Sequence, residues 1–254
     1  MISRNYFLKN NSAKILPLLA KVAFVYIILF EFILPANGIL PKPSILIESV
    51  TSLFKHYNFL YAFGFTLSII FFALLVGYFL IRIFRNTMLY FTRTFPTLIS
   101  LLDTTKYFLM ILLVFIFHFW FGNNIYGELF LAIIVVLGNL KIEYFKSANE
   151  VKQEYLDAAQ SLNISESKKT NVIWKSVQPK LFSSLEFSHY SLWTLLIIYE
   201  YINGTNGIGS VFRLAIKYND FSVVVLLILI ISTSLWLSTL LLNSIRAKFF
   251  FWNS

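Results

Sequence analysis

Six long apolar runs recur along this chain, and they decide what it can fold into. They cover Lys14–Leu34, Leu60–Phe84, Thr104–Trp120, Tyr126–Tyr144, Phe182–Ile202 and Phe221–Ile245. A helix needs roughly 17–25 mostly apolar residues to cross the hydrocarbon layer of a membrane, and each run supplies that. The expected architecture is therefore an all-α membrane protein of about six transmembrane helices. Composition agrees. Apolar residues make up 58% of the 254 and charged residues only 13%, where soluble domains carry about 25% charge. The 28 phenylalanines suit a lipid-facing surface better than a binding platform. Glycine is scarce, so close helix packing must rest largely on Ala, Ser and Thr.

Basic residues set the orientation. With the N-terminus inside, sixteen lysines and arginines fall on inner segments and four on outer ones (Lys42, Lys55, Arg213 and Lys217). Lys21 lies near the inner end of the first run and can snorkel. This is a positive-inside pattern, and it accounts for the net charge of +9 without nucleic acid. Both termini and the segment 145–180 then face the cytoplasm. The first run has no small-residue cleavage site after it and five more runs follow, so it reads as an uncleaved helix.

Shorter elements lie between the runs. After Leu40-Pro41-Lys42-Pro43-Ser44, apolar residues at 46, 47, 50, 53 and 54 follow helical spacing. An amphipathic helix on the outer membrane face is expected there, with Ser44 as its N-cap. Asn86–Asp103, interrupted by Arg93 and Pro96, reads as an interfacial or partly inserted helix, or as the first half of a kinked third span.

Enzyme chemistry finds little support. Gly204-Thr205-Asn206-Gly207-Ile208-Gly209-Ser210 lacks the lysine of a phosphate loop and opens no strand–helix unit, so a tight outer turn is expected. His56, His118 and His189 are scattered, with no partner at metal-ligand or catalytic spacing. No metal or cofactor is expected, and the absence of cysteine excludes disulfides and thiolate sites. Two acids stand in or beside apolar runs. Glu31 is near a rim, where it can snorkel. Glu200 has three readings: hydrogen bonding at a helix break, a gate or translocation-path role, or snorkelling.

The polar block from Val151 to Pro179 is the most specific feature. Val151, Tyr155, Ala158, Ala159 and Leu162 share one helical face. Asn163 can end that helix in a left-handed conformation. Ser165 can cap a second helix over Glu166–Val177, and Pro179 marks the start of the fifth span. Structureless loops of this length are uncommon unless functional.

These residues resemble a known family. Asp157-Ala158-Ala159-x-x-x-Asn163 is similar to the Glu-Ala-Ala-x-x-x-Gly signature of bacterial ABC importer permeases, and Val151 with Glu154 matches its lead-in. Leu40-Pro41-Lys42-Pro43-Ser44, Glu31, Trp120-Phe121-Gly122, and the spacing from Pro179 to Trp193, Glu200, Gly207 and Gly209 narrow the likeness to the nitrate/sulfonate/taurine branch. The chain departs from the pattern at Asp157 (for Glu), at Asn163 (for Gly), and at Lys106-Tyr107-Phe108-Leu109 (for Arg-Pro-x-Pro).

The resemblance implies a type I importer (MetI-like) fold: one transmembrane permease domain over 1–254 with a cytoplasmic coupling loop at 145–180. It implies two copies of a separate ATP-hydrolysing subunit docked on Asp157, Ala158, Ala159, Leu162 and Asn163. A second permease copy is implied, with a homodimer expected, together with a periplasmic or extracellular substrate-binding protein. Trp193 and Glu200 fall in the translocation path or its gate, and the location implied is the bacterial inner membrane. Substrates of the branch are small anions such as nitrate, taurine and sulfonates, or pyrimidine vitamin precursors. The departures also admit a degenerate permease half working beside a more typical partner.

Overall fold

The computed structural model describes residues 17, 21–22, 24–33, 41–94, 108–150 and 166–249. Every regular element among them is helical. In chain order these are α1 (Phe24–Ile33), ending in a π-helical turn at Ile28–Ile33, then α2 (Pro43–His56), α3 (Phe59–Thr94), α4 (Phe108–Phe121), α5 (Ile125–Asn149), α6 (Glu166–Asn203), α7 (Gly207–Lys217) and α8 (Phe221–Phe249). The docking residues Asp157, Ala158, Ala159, Leu162 and Asn163 lie outside the described residues.

Among the described residues, three helices are long and apolar enough to cross a membrane: Phe59–Met88, Ile125–Asn149 and Phe221–Phe249. The first and third expected spans appear as shorter apolar helices at Phe24–Ile33 and Ile111–Phe121. The fifth lies within α6, whose Ser, His, Glu and Asn side chains dilute its apolarity. Those groups point inward, as polar side chains in lipid must: Ser184, Ser188, His189 and Glu200 are all buried.

The chain divides into two compact units, Met1–Leu60 with Val211–Trp236, and Tyr61–Ser210 with Leu237–Asn253. In the first unit, Glu31 does more than snorkel. Its carboxylate accepts from the Ser44 N–H (3.2 Å) and the Ser44 hydroxyl (2.9 Å). The N-cap position of α2 is Lys42, with Pro43 opening the helix, so Ser44 is not the cap expected from sequence. Glu31 supplies the acceptor that the helix start needs and that Lys42 lacks. Elsewhere in this unit Asp220 caps α8 by accepting from the Val223 N–H (3.2 Å) and also accepts from the Tyr57 hydroxyl (3.2 Å). Burial and the Asp220 charge push the Tyr57 hydroxyl up to about 12.

In the second unit α5 packs along α6, with α4 against both. The seam between α5 and α6 is polar at its middle. Asn139 Nδ2 donates to Ser188 Oγ (3.1 Å), and Ser184 Oγ donates to the Asn139 carbonyl (3.3 Å). Trp193, 1% exposed, donates its indole N–H to His189 Nε2 (3.1 Å).

Three expectations from sequence are corrected. First, Asn86–Thr94 continues α3 and is not a separate helix, while the rest of the expected Asn86–Asp103 segment lies outside the described residues. Second, Glu166–Val177 is not a helix apart from the fifth span: α6 runs unbroken through Pro179 for 38 residues. A proline costs one backbone hydrogen bond, here to the Lys175 carbonyl, and a helix can bridge it when the freed carbonyl finds another partner. At about 57 Å, α6 is nearly twice the thickness of the hydrocarbon layer, so its polar first turns have room outside the lipid. Third, the turn at Gly204–Gly209 leads into α7, a helix not expected from the sequence. Gly204 and Gly207 take the positive φ values (70° and 75°) that a turn requires.

Gly77 of α3 faces Val136 of α5, and a Cβ built on Gly77 would run into the Val136 side chain. Val136 is fully buried and has no slack to yield. Gly77→Ala is therefore expected to destabilise the folded protein by about 1–3 kcal/mol, as overpacking does. Adding Val136→Ala should restore most of the loss. The check is the thermal midpoint of the detergent-solubilised protein, and a double variant no more stable than Gly77→Ala alone would disprove the contact.

Candidate functional site

The Glu200 cluster is built at the C-terminal end of α6. Asn203 is the last residue of that helix, and the Gly204 N–H closes it by donating to the Glu200 carbonyl (2.7 Å). Three residues after Gly204, Gly207 begins α7. The first turn of any helix leaves N–H groups without intrahelical partners and carries partial positive charge. Here the Glu200 side chain lies against that turn. Its Oε2 accepts from the Gly209 N–H (2.8 Å), and its Oε1 accepts from the Thr66 hydroxyl (2.6 Å). Thr66 Oγ1 in turn accepts from the Ile208 N–H (3.0 Å). One carboxylate and one hydroxyl thus satisfy two adjacent orphan donors away from water, since Glu200 is 1% exposed and Thr66 is fully buried.

The glycines make this possible. A Cβ on Gly207 would occupy the space of the Glu200 carboxyl, and one on Gly209 would strike the Ile197 carbonyl and the Tyr201 N–H. Gly-Ile-Gly lets α7 begin in contact with the backbone of α6. The motif read as a turn from sequence is also a close-approach motif.

A second carboxyl lies behind the first. Glu128, in the first turn of α5, is 3% exposed and hydrogen-bonds to Glu200. A hydrogen bond between two carboxyl groups requires that one carry a proton. The other oxygen of Glu128, Oε1, has no hydrogen-bond partner. Nearby, Tyr199 donates to the Gly122 carbonyl (3.4 Å), and His118 Nδ1 hydrogen-bonds to Asn203 Oδ1. The end of α4 and the end of α6 are therefore tied by side chains from both.

Of the residues proposed from sequence, Glu200 and Trp193 are described. They lie on the same helix, both buried, in separate hydrogen-bonded sets. Thr66 and Glu128 were not anticipated. Glu128 did carry a signal, as an acid at the start of the fourth apolar run. Thr66 carried none, because its partner is 134 residues away. Among the described residues no three His, Asp or Glu side chains come together as a metal site.

At the other end of α6, Lys180 pairs with Glu150, the residue that follows α5. Hydrogen bonding to Lys180 holds the Glu150 carboxyl below the usual carboxylate range. The pair is half exposed, so it adds little stability. Its position is informative: it joins the two helices that carry the chain into and out of residues 151–165.

The family model for the inner membrane component of binding-protein-dependent transport systems matches residues 70–250. The chain belongs to this family. The match takes in most of α3, all of α4 to α8 and the polar block between α5 and α6. Comparison with curated proteins and with solved structures finds no match. The protein is thus a membrane permease subunit of ABC import systems, and the cluster around Glu200 is a built-in feature of a transport protein.

The Glu200 cluster can be tested by removing one hydroxyl. Thr66→Val keeps the shape of the side chain but strands the Ile208 N–H and one Glu200 oxygen. It should lower the unfolding free energy by about 1–3 kcal/mol for each buried group left unpaired, whereas Thr66→Ser should stay near wild type. Denaturation of the purified permease would show this, and equal stability of Thr66→Val and wild type would rule out the relay.

Proposed function

We propose that this permease forms the translocation path of an importer as one of two copies in a bacterial inner membrane. The two copies are worked by two separate ATP-hydrolysing subunits. These grip the cytoplasmic helix around Ala158, where small side chains permit close approach and Asp157 offers one charge. Leu162 and Asn163 fix the angle at which the chain turns toward α6. Substrate arrives on a separate binding protein on the outer side and passes between the two permease copies as the helices rock. Glu200 and Trp193 serve this path from within the protomer: Glu200 holds the outer turn to α6, and Trp193 keeps the middle of α6 rigid. The nitrate/sulfonate/taurine likeness points to a small anionic substrate, or to a pyrimidine vitamin precursor.

The observation that carries this reading is the family match over residues 70–250, because it includes the whole polar block that the sequence places in the cytoplasm. The Lys180–Glu150 pair supports it further, since it braces the two helices flanking the docking segment. A second reading, a degenerate half paired with a different permease, is favoured by Asp157 and Asn163 standing where the signature has Glu and Gly. Co-purification separates the two: a symmetric pair supports the first, and a second permease species supports the other.

Docking is tested by Asp157→Lys and Ala158→Trp in the complete transporter reconstituted in vesicles. Each variant should insert normally yet lose at least tenfold in uptake, with ATP hydrolysis no longer linked to transport. Uptake at the wild-type rate in either variant would remove the docking assignment.

A further inference from the structure

The second unit contains an apolar groove of about 530 Å³ between α3, α6 and α8. That volume falls within the roughly 300–1,000 Å³ typical of small-ligand sites. Leu75 and Tyr78 line it from α3, Gln178 and Leu185 from α6, and Leu242 and Phe249 from α8. Residues three, four or seven apart share a helix face, so each lining stripe can be followed along its helix. On α3 the next position is Arg82. On α6 the preceding position is Lys175. On α8 Arg246 lies between Leu242 and Phe249 on the same stripe. The topology brings these three cations to one end, because α3 and α8 finish on the cytoplasmic side and α6 starts there. Arg82 and Lys175 are exposed and Arg246 is partly so. No acidic residue occurs in 78–94 or 237–249 to offset them.

An apolar slot whose three lining helices each carry a cation on the adjoining turn fits one kind of occupant. We propose that the groove binds an anionic phospholipid, with an acyl chain along the slot and the phosphodiester headgroup against Arg82, Lys175 and Arg246. Charge complementarity selects this occupant. A zwitterionic lipid would bring its own cation to a cationic rim. A helix from a second copy would fill the slot and leave the three charges unanswered. The assignment rests on the membrane topology and not on the docking of an ATPase, so it can fail or stand independently of the transport reading.

The test uses the full-length permease, delipidated in detergent and titrated separately with dioleoylphosphatidylglycerol and dioleoylphosphatidylcholine. Native mass spectrometry counts the lipid retained. The phosphatidylglycerol should bind at least tenfold more tightly. The combined Arg82→Ala, Lys175→Ala and Arg246→Ala variant should bind both lipids equally, and the combined Arg82→Lys, Lys175→Arg and Arg246→Lys variant should recover the preference. Leu75→Trp, which fills the slot, should weaken binding of both. Equal retention of the two lipids by the wild type, or an undiminished preference in the triple alanine variant, overturns the proposal. So does disulfide cross-linking in membranes between two copies carrying Leu75→Cys, which would place a second copy in the groove. The chain has no native cysteine, so that readout is unambiguous.

Discussion

Lipid offers no hydrogen bonds, so every polar group taken into the membrane must find its partner within the protein. The design of α6 follows from this constraint. It carries more polar side chains than a lipid-facing helix tolerates, and they are engaged by neighbours: Ser188 by Asn139, Trp193 by His189, Glu200 by Thr66 and the start of α7. The outward faces of α3 and α8 show the reverse. Phe72, Leu75, Phe79 and Ile83 on the one, and Leu237, Leu240 and Leu241 on the other, are exposed and apolar. Hydrophobicity sets which helices meet lipid. Hydrogen bonding sets which helix stands in the middle of its unit.

The same constraint explains the use of a carboxylate at α7. The first N–H groups of a helix are commonly satisfied by a local Ser, Thr, Asp or Asn at the cap position. The first residue of α7 cannot carry a side chain, because a Cβ on Gly207 would collide with Glu200. The acceptor is instead imported from α6, with Thr66 of α3 as its second hand. Capping and helix packing become one interaction: Glu200 satisfies α7 only while α7, α6 and α3 are in contact. Glu31 repeats the arrangement on a smaller scale by capping α2 from α1. Two of the acids that stand in or beside the apolar runs are thus helix caps supplied from another element.

How much of this was legible in the sequence depended on the range of the interaction. The helical class and the apolar runs were readable, because hydrophobicity is a local property of each segment. Boundaries failed where polar residues continue a helix beyond the lipid, as at Asn86–Thr94 and Glu166–Val177, because the end of an apolar run marks the end of the lipid and not of the helix. Pro179 misled for a related reason: the rule that proline breaks a helix is derived where water competes for the backbone. α7 was missed because it is only 11 residues long and opens on glycines that read as a turn. For Glu200, sequence left three roles open. Hydrogen bonding at a helix break describes its partners, and neither Thr66 nor Glu128 is near enough in the chain to have been named in advance.

An unbroken α6 has a mechanical consequence. A permease moved from the cytoplasm must carry a displacement across the membrane, and a chain of separate short elements would dissipate it at each joint. One helix of 38 residues carries both Lys180 and Glu200. The Lys180–Glu150 pair links its first half to Glu150, the residue after α5. At its outer end the carboxylate of Glu200 ties it to α7. Pro179, just before Lys180, is the one residue of α6 without a backbone N–H to donate. The weak point of its backbone ladder is therefore at Pro179, and the length beyond it is held against α5 through Asn139 and Ser188. A displacement of that length reaches the Glu200 turn as a movement of the rod as a whole.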